Sequence, residues 1–316
     1  MPSAPLGFHG GGQGANSPPS SRRRHSHLGV GRSGAADRGA LRLANRLLAN
    51  PEGAAGLEIT LGGLLVRASG DLLVALTGAP CPATVSSPDG RTRGVGHASV
   101  EHLPDGATLR LGVPPRGLRT YLAVRGGIDV PEVLGSRATD LLSGLGPARP
   151  APGALLPVGP PPVEFPAVDL APAPELESGD LVLAAVPGPR HDWFRPEALA
   201  ALCAEPYEVT PHSDRIGMRL RGPRLERARD GELPSEGMVP GALQVPPSGQ
   251  PTLFLADHPV TGGYPVIAVL RDDEIGRAAQ ARPRVGRRIA PGRRVRPGAA
   301  YRPSSRSIAV RSTSRS

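Results

Sequence analysis

Glycine and proline interrupt this chain too often for long helices. They number 42 and 39 among 316 residues, so a turn-former falls at about every fourth position. Glycine opens backbone conformations closed to other residues, and proline fixes φ and removes a donor. A chain punctuated this densely suits many short strands joined by tight turns. Aromatic residues make up only 3%, so the core has to be assembled from Leu, Val, Ile and Ala. The length allows two ordinary domains or one large β-rich unit.

The formal net charge of +9 would by itself suggest binding to phosphate backbones. Its placement argues otherwise. Residues 1–26 carry Arg22, Arg23 and Arg24 and no acid; residues 284–316 carry ten Arg and no acid. Of the 37 basic residues, 24 remain between those ends, against 28 acidic ones. The body is mildly acidic. Both ends are rich in Gly, Pro, Ser and Arg, and disordered tails are expected there because they hold too little apolar surface to order themselves. No specific nucleic-acid role is expected.

All 37 basic residues are arginine. Without lysine, the chain offers no Schiff-base or P-loop lysine and no lysine to carry biotin. Cys81 and Cys203 show neither metal-ligand spacing nor a disulfide framework, which fits a cytoplasmic protein with no metal site. No run of about 18 apolar residues is present, and no apolar stretch follows the N-terminal arginines. Neither a membrane span nor a secretory leader is expected.

An amphipathic helix is expected over 37–48, with Leu41, Leu47 and Leu48 near one face, Asp37 as N-cap and Asn50-Pro51 as the stop. Strands are expected at 57–61, 64–67, 72–76, 107–111 and 120–124, then at 181–186, 207–209, 218–220, 244–245, 252–255 and 266–270. Short helices fit 196–202 and 273–280. Residues 147–176, dense in Pro and Ala, read as a connection across the surface. The organisation expected is a tail at 1–26, one β subdomain at 27–170, a second at 171–283 and a basic tail at 284–316.

The common catalytic constellations are missing: there is no G-x-S-x-G, H-E-x-x-H or C-x-x-C, and no G-x-G-x-x-G between strand and helix. His191-Asp192 reads as a surface or capping pair, since adjacent strand residues point to opposite faces. Two stretches are unusual. Ser213-Asp214-Arg215 precedes a glycine and a strand, a pattern that fits a turn with a salt bridge as well as a site. Residues 235–265 hold Glu236, Gln244, Asp257, His258, Thr261 and Tyr264 among glycines and prolines. Polar groups on rigid loops between strands are a usual place for a binding site, although turn-making explains many of these residues equally well.

Taken in order, short motifs make the chain specific. They include His27-Leu-Gly-Val30, Ser33-Gly-Ala-Ala-Asp-Arg38, Asn50-Pro-Glu-Gly53, Arg125-Gly-Gly-Ile-Asp129, His191-Asp-Trp-Phe194, Ser213-Asp-Arg-Ile-Gly217, Ser235-Glu-Gly237, Pro240-Gly-Ala-Leu-Gln-Val-Pro-Pro247 and Thr261-Gly-Gly-Tyr-Pro265. The series resembles the biotin-dependent carboxyltransferase-like family, also called the allophanate hydrolase subunit 2 family, whose bacterial members include the C-subunit of 5-oxoprolinase. The resemblance departs at both ends. The family usually opens with a strand ahead of the His27 region and closes with a short strand, where this chain has Gly/Ser/Arg-rich and Arg-rich stretches.

The resemblance implies a mainly β fold with a few short helices, a cyclophilin-like β-barrel architecture in two β subdomains. It implies work with a B-subunit-like protein (allophanate hydrolase subunit 1 family) and an A-subunit-like protein, in ATP-dependent hydrolysis of 5-oxo-L-proline to L-glutamate. ATP would be used by the complex, with no biotin on this chain. Within it, Asp257 or Glu236 is the expected base. Arg215 is expected to grip a substrate carboxylate or phosphate bidentately, with Ser213, Gln244, Thr261 and Tyr264 as polar contacts around one cleft. Two alternatives stand: a carboxyltransferase component of a biotin-dependent urea or amide carboxylase, with biotin on another chain, and a non-catalytic regulatory protein antagonising a kinase inhibitor.

Overall fold

The structure, a computed structural model, describes residues 6–9, 21–176, 180–283 and 306–311. The first lobe comprises β1 (Leu6–His9), α1 (Arg38–Leu47), β2 (Gly56–Thr60), β3 (Leu65–Arg67), β4 (Leu72–Gly78), β5 (Ala83–Ser86), β6 (Thr92–Gly94), β7 (Val100–Leu103), β8 (Thr108–Leu111) and β9 (Arg119–Val124). One sheet runs β1-β2-β9-β4-β7 and the other β3-β8-β5-β6. All pairings are antiparallel, so tight turns suffice as connections, and the glycines supply them. Leu57, Ile59, Val74, Leu76, Leu109, Leu111 and Leu122 share one aliphatic core. In β5, Ala83 and Val85 are buried while Thr84 and Ser86 are exposed, the alternation of a sheet with one wet face.

β9 is buried along its whole length because α1 covers its other side. Ala44, Leu47 and Leu48 of the helix segment meet Ala75 and Ala123 of the sheet, small residues that let a helix approach closely. The Asp37 carboxylate accepts from the Ala40 amide at 3.0 Å, as an N-cap does. Asn50 stops the helix and also ties it down: its side chain donates to the Val124 carbonyl at 2.8 Å and accepts from the Gly126 amide at 2.8 Å.

The second lobe comprises β10 (Asp180–Pro187), α2 (Pro196–Ala204), β11 (Tyr207–Val209), β12 (Gly217–Arg221), β13 (Glu236–Gly237), β14 (Ala242–Gln244), β15 (Thr252–Phe254), β16 (Thr261–Gly262), β17 (Val266–Leu270), α3 (Asp272–Ala279) and β18 (Arg306–Arg311). A closed barrel runs β10-β17-β14-β15-β12-β11-β18, with β13-β16 as a separate ribbon. Leu183, Leu220, Leu243, Val245, Leu253, Leu255 and Ile267 belong to its core. The fold is mostly β, as expected. Among the described residues no helix is long and apolar enough to cross a membrane.

The expectation of two disordered tails is corrected. Leu6–His9 pairs antiparallel with Gly56–Ile59. Arg306–Arg311 pairs antiparallel with β10 and parallel with β11. The averaged composition of each tail hides a short run able to make a strand, Leu-Gly-Phe-His in one and Ser-Ile-Ala-Val in the other. Each run fills an edge that would otherwise present bare backbone groups. Residues 21–26 of the first tail belong to a 3-10 helix, Ser21–Leu28, and the other tail residues lie outside the described residues. β5, β6 and β7 also escape the sequence pattern, because Thr92-Arg-Gly and Val100-Glu-His-Leu carry too few apolar residues to show a period.

Since β18 is the stave between β10 and β11, ending the chain at Ser305 opens the barrel. The melting temperature is expected to fall by at least about 5 °C. A scan that superposes on the full chain would show that β18 closes nothing.

Candidate functional site

Two residues that the sequence offers as functional, Arg215 and Asp257, meet at the junction of the two lobes, and they bind each other. Arg215, just before β12, donates through Nε to Asp257 Oδ2 at 3.0 Å and through one terminal nitrogen to Asp257 Oδ1 at 3.2 Å. Its other terminal nitrogen donates to Glu58 Oε1 at 2.6 Å, and a further bond reaches the Gly34 carbonyl. Glu58, in the middle of β2, also accepts from Arg119 Nε at 3.2 Å, from the Tyr121 hydroxyl at 2.8 Å and from the Ala36 amide at 3.0 Å. Asp257 accepts from Ser33 Oγ at 2.6 Å and the Leu141 amide at 3.1 Å. All four charged groups are buried.

Local backbone makes this possible. Ser33 and Gly34 both take positive φ, 47° and 104°. The turn they form presents the Ser33 hydroxyl to Asp257 and the Gly34 carbonyl to Arg215. Gln280, the C-cap of α3, closes the seam: its amide oxygen accepts from the Leu118 and Arg119 amides at 3.0 and 2.9 Å, and its nitrogen donates to Asp37 at 2.9 Å. Burial opposes the charge on Arg215, but Glu58 and Asp257 outweigh it and hold the guanidinium firmly protonated. Burial also pushes the carboxyls of Asp257 and Asp37 above their ordinary values and raises the Tyr121 phenol well above its own.

The remaining candidates other than Ser213 gather around Gln244, at the other end of β14 and β15. Strand register shows it: Gly217 faces Phe254 at the Arg215 end of β12 and β15, while Arg219 faces Thr252, and Thr252 faces Gln244. Gln244 in turn faces Val266, the first residue of β17. Around that point the Gln244 amide donates to the Tyr264 carbonyl at 3.1 Å, and the Arg190 amide donates to the Val266 carbonyl at 3.2 Å. Glu236 and Gly237 pair with Gly262 and Thr261. Arg190 donates to Glu236 through Nε at 2.8 Å, and this bond holds the Glu236 carboxyl below its ordinary value. The Arg227 guanidinium lies 5.8 Å from the Tyr264 ring centroid and donates to the Val245 carbonyl at 2.8 Å. Among the described residues its Nε is buried with no hydrogen-bond partner.

The expected single cleft is therefore corrected. Arg215 and Asp257 do share a face of the fold, but four of the guanidinium's five N–H groups are spent within the junction. Both residues are committed to holding it. Ser213 stands apart from both clusters, on the exposed β11–β12 turn, where its hydroxyl accepts from the Arg219 amide at 3.0 Å. Together with Pro211, His212, Asp214 and Arg219 it lines an open depression. Glu236, Gln244, Thr261 and Tyr264 gather as one mouth, joined by Arg190 and Arg227, which sequence reasoning passes over. Glu58 and Arg119 are passed over too. The available signal was a charged residue at the centre of the apolar strand Leu57-Glu-Ile. His258, singled out for its motif, is buried with Nδ1 2.7 Å from the Pro259 carbonyl, and burial lowers its pKa. Among the described residues no cluster could hold a metal ion.

Comparison with known proteins gives the fold a family. A model described as carboxyltransferase domain, subdomain A and B, matches residues 28–290. The chain is 38% identical over 255 residues to the 5-oxoprolinase C-subunit of Escherichia coli strain K12, covering 80% of each protein. It matches a crystal structure of TTHA0988 with a TM-score of 0.75 at 33% identity, over 89% of this chain and 53% of that one. It also matches the crystal structure of Kluyveromyces lactis urea carboxylase with a TM-score of 0.75 at 27% identity, over 90% of this chain and 27% of that one.

Removing one member of a buried ion-pair cluster leaves an uncompensated charge. Asp257→Ala is expected to destabilise the protein by about 3–5 kcal/mol in denaturant unfolding, whereas Tyr264→Phe at the half-exposed mouth leaves stability unchanged. An Asp257→Ala protein within about 1 kcal/mol of the parent would show that the cluster does not hold the lobes together.

Proposed function

The chain belongs to the carboxyltransferase domain, subdomain A and B, family, and from that premise we propose that it is the C-subunit of an ATP-dependent 5-oxoprolinase. With partner subunits it hydrolyses 5-oxo-L-proline to L-glutamate. The observation that carries this reading is reciprocal coverage: the relative named as the 5-oxoprolinase C-subunit aligns over 80% of its own length and 80% of this chain. In urea carboxylase the matching fold is 27% of the chain. The partners in this reading are a B-subunit-like protein of the allophanate hydrolase subunit 1 family and an A-subunit-like protein, in the cytoplasm. That Cys81 and Cys203 are not joined in a disulfide fits that compartment.

The barrel mouth suits the substrate. Opening a lactam means activating a stabilised amide carbonyl. In this reading the γ-phosphoryl of ATP passes to the lactam oxygen and ADP leaves; one water attacks the ring carbon, the C–N bond breaks to leave an acyl phosphate, and a second water hydrolyses it to the carboxylate and inorganic phosphate. Arg190 and Arg227 supply cationic donors for the substrate carboxylate or the developing oxyanion. The Tyr264 hydroxyl, Thr261 hydroxyl and Gln244 amide supply orienting contacts. Glu236 is ionised throughout the neutral range because Arg190 holds its pKa down, so it serves as a weak base or as the group that aims Arg190. No P-loop lysine is present in a chain without lysine, so in this reading ATP is bound on a surface shared with a partner or on another subunit. Arg215 and Asp257 act as the clamp behind the site.

The test is ATP-dependent 5-oxoproline hydrolysis by the reconstituted subunits, omitting each in turn. Activity that needs this chain and is indifferent to avidin supports the proposal; avidin-sensitive carboxylation of urea or an amide would replace it with the carboxyltransferase reading. Within the active complex, Arg190→Ala and Glu236→Gln are expected to lower turnover at least tenfold with the melting temperature unchanged. A depressed carboxyl pKa places the acid limb of the pH profile below the ordinary carboxylate range, because function is lost only as pH falls through the folded value. Glu236→Gln should flatten that limb.

A further inference from the structure

Gln244 is the last residue of β14, and its side chain leaves the barrel wall on the outer face. Neighbouring strand residues point to opposite faces. Leu243 and Val245 belong to the barrel core, whereas Ala242 packs outside it with Met238, Phe254 and Val266; Gln244 shares the face of Ala242. The pairing of β14 with β17 shifts register between Leu243 and Gln244, and irregularities of this kind re-aim a side chain. Here it is turned beneath the β13–β16 ribbon and left 8% exposed.

The two ends of its amide are treated differently. The nitrogen donates to the Tyr264 carbonyl at 3.1 Å and lies 3.9 Å from Met238 Sδ. Gly262 presses on the same nitrogen: a Cβ at that position would stand 2.5 Å from it and 3.3 Å from Met238 Cγ. Because Tyr264 presents an acceptor, the nitrogen and not the oxygen has to stand against it, which fixes the orientation of the amide. Among the described residues no donor is bonded to Gln244 Oε1, and that atom is not shut off from solvent. The nitrogen is spent on the protein. The oxygen is held out as a bare acceptor.

A bare acceptor selects for a donor on the ligand, and cations flank this one. Arg227 is bonded to the carbonyl of Val245, the next residue along. Gly262, which touches the Gln244 amide, is the register partner of Glu236, and Arg190 is bonded to Glu236. The arrangement fits a small molecule that carries an N–H next to an anionic group. A lactam carboxylate has this pattern, because its ring nitrogen is bonded directly to the carbon that bears the carboxylate. The carboxylate is repelled by Oε1 and drawn to the guanidiniums, which leaves the N–H for Gln244.

We propose that Gln244 Oε1 accepts the N–H of the substrate lactam and makes the site selective for a cyclic amide over its isosteres. The proposal rests on the reading of this chain as a 5-oxoprolinase subunit. A site built to bond a substrate N–H rejects the analogue that lacks it, since the acceptor is then left unpaired.

The probe is the γ-lactone carboxylate in which a ring oxygen replaces the N–H of 5-oxoproline. It is used as a competitive inhibitor of ATP-dependent 5-oxoproline hydrolysis by the reconstituted assembly. With the parent chain, its Ki is expected to exceed the KM for 5-oxoproline by at least about tenfold. Gln244→Met keeps the length of the side chain and removes the acceptor, so it should raise KM without raising Ki and bring the ratio toward one. Gly262→Ala keeps Gln244 but drives a methyl group into its amide, and should lower the ratio in the same way. A Gln244 that only supports the fold would move KM and Ki together. That result, or a parent ratio near one, overturns the proposal while the 5-oxoprolinase reading stands. Should Gln244→Met fail to fold, as judged by its melting temperature, Gly262→Ala decides. A parent assembly that hydrolyses no 5-oxoproline overturns the reading and the proposal together.

Discussion

Glu58, Arg119, Arg215 and Asp257 set the relation between the lobes, and nearly everything else about the molecule's function follows from that relation. Two cations and two anions stripped of water would be ruinous singly, since each costs several kcal/mol to desolvate even after relaxation. Here they interleave, with Glu58 between Arg119 and Arg215 and Asp257 on the far side of Arg215. The remaining lone pairs are met by Ser33, Tyr121 and the amides of Ala36 and Leu141. The first lobe owns Glu58 and Arg119; the second owns Arg215 and Asp257. Each half is balanced in charge by itself, so the Arg215–Glu58 bond between the pairs selects a single docking of one lobe on the other more than it adds net stability.

That arrangement dictates where chemistry has room. The end of the barrel that faces the first lobe is filled by the cluster and by Gln280, whose side chain is hydrogen-bonded across the seam to the backbone of Leu118 and Arg119. The opposite end carries the short β13–β16 ribbon and the loop bearing Arg190. Among the described residues Arg227 there has a buried nitrogen with no hydrogen bond, as His258 has beside Asp257, and Tyr264 is half-exposed. Polar groups that a protein fails to satisfy by itself are a natural place for a ligand's donors and acceptors to enter.

The strands of both sheets were largely legible in the sequence because alternation and aliphatic runs report burial directly: Leu72–Leu76, Thr120–Val124 and Val266–Leu270 each lie within an observed strand. The family motifs located the polar residues correctly in the chain but not in space. Arg215 and Asp257 lie 42 positions apart and were rightly expected to share a face; what the linear order could not show was Glu58, 157 positions away, completing the pair into a closed cluster. Gln244 and Asp257 are near in sequence and lie at opposite ends of the barrel, because β15 carries the chain from one end to the other between them. The strands in the tails were hidden for a different reason. Composition averaged over 33 residues of arginine, proline and serine cannot reveal six that find an open edge.

The absence of lysine gives these observations a common direction. Every cation in the chain is a guanidinium, planar and charged at any accessible pH, with donors spread in a fork. In the clamp this lets one residue, Arg215, bind two carboxylates and a carbonyl at once, which an ammonium on a flexible stem does with far less geometric definition. In the connection between β9 and β10 it lets Arg125 tie two carbonyls while its flat face carries Phe165. At the mouth it lets Arg227 bond the Val245 carbonyl while lying near the Tyr264 ring. The same side chain thus fixes the lobes, that connection and the site, in each case by using edge and face together. Titration of these cations is therefore no source of pH dependence between acid and neutral, and any such dependence must originate in carboxylates or histidines. At the mouth the group positioned to supply it is Glu236.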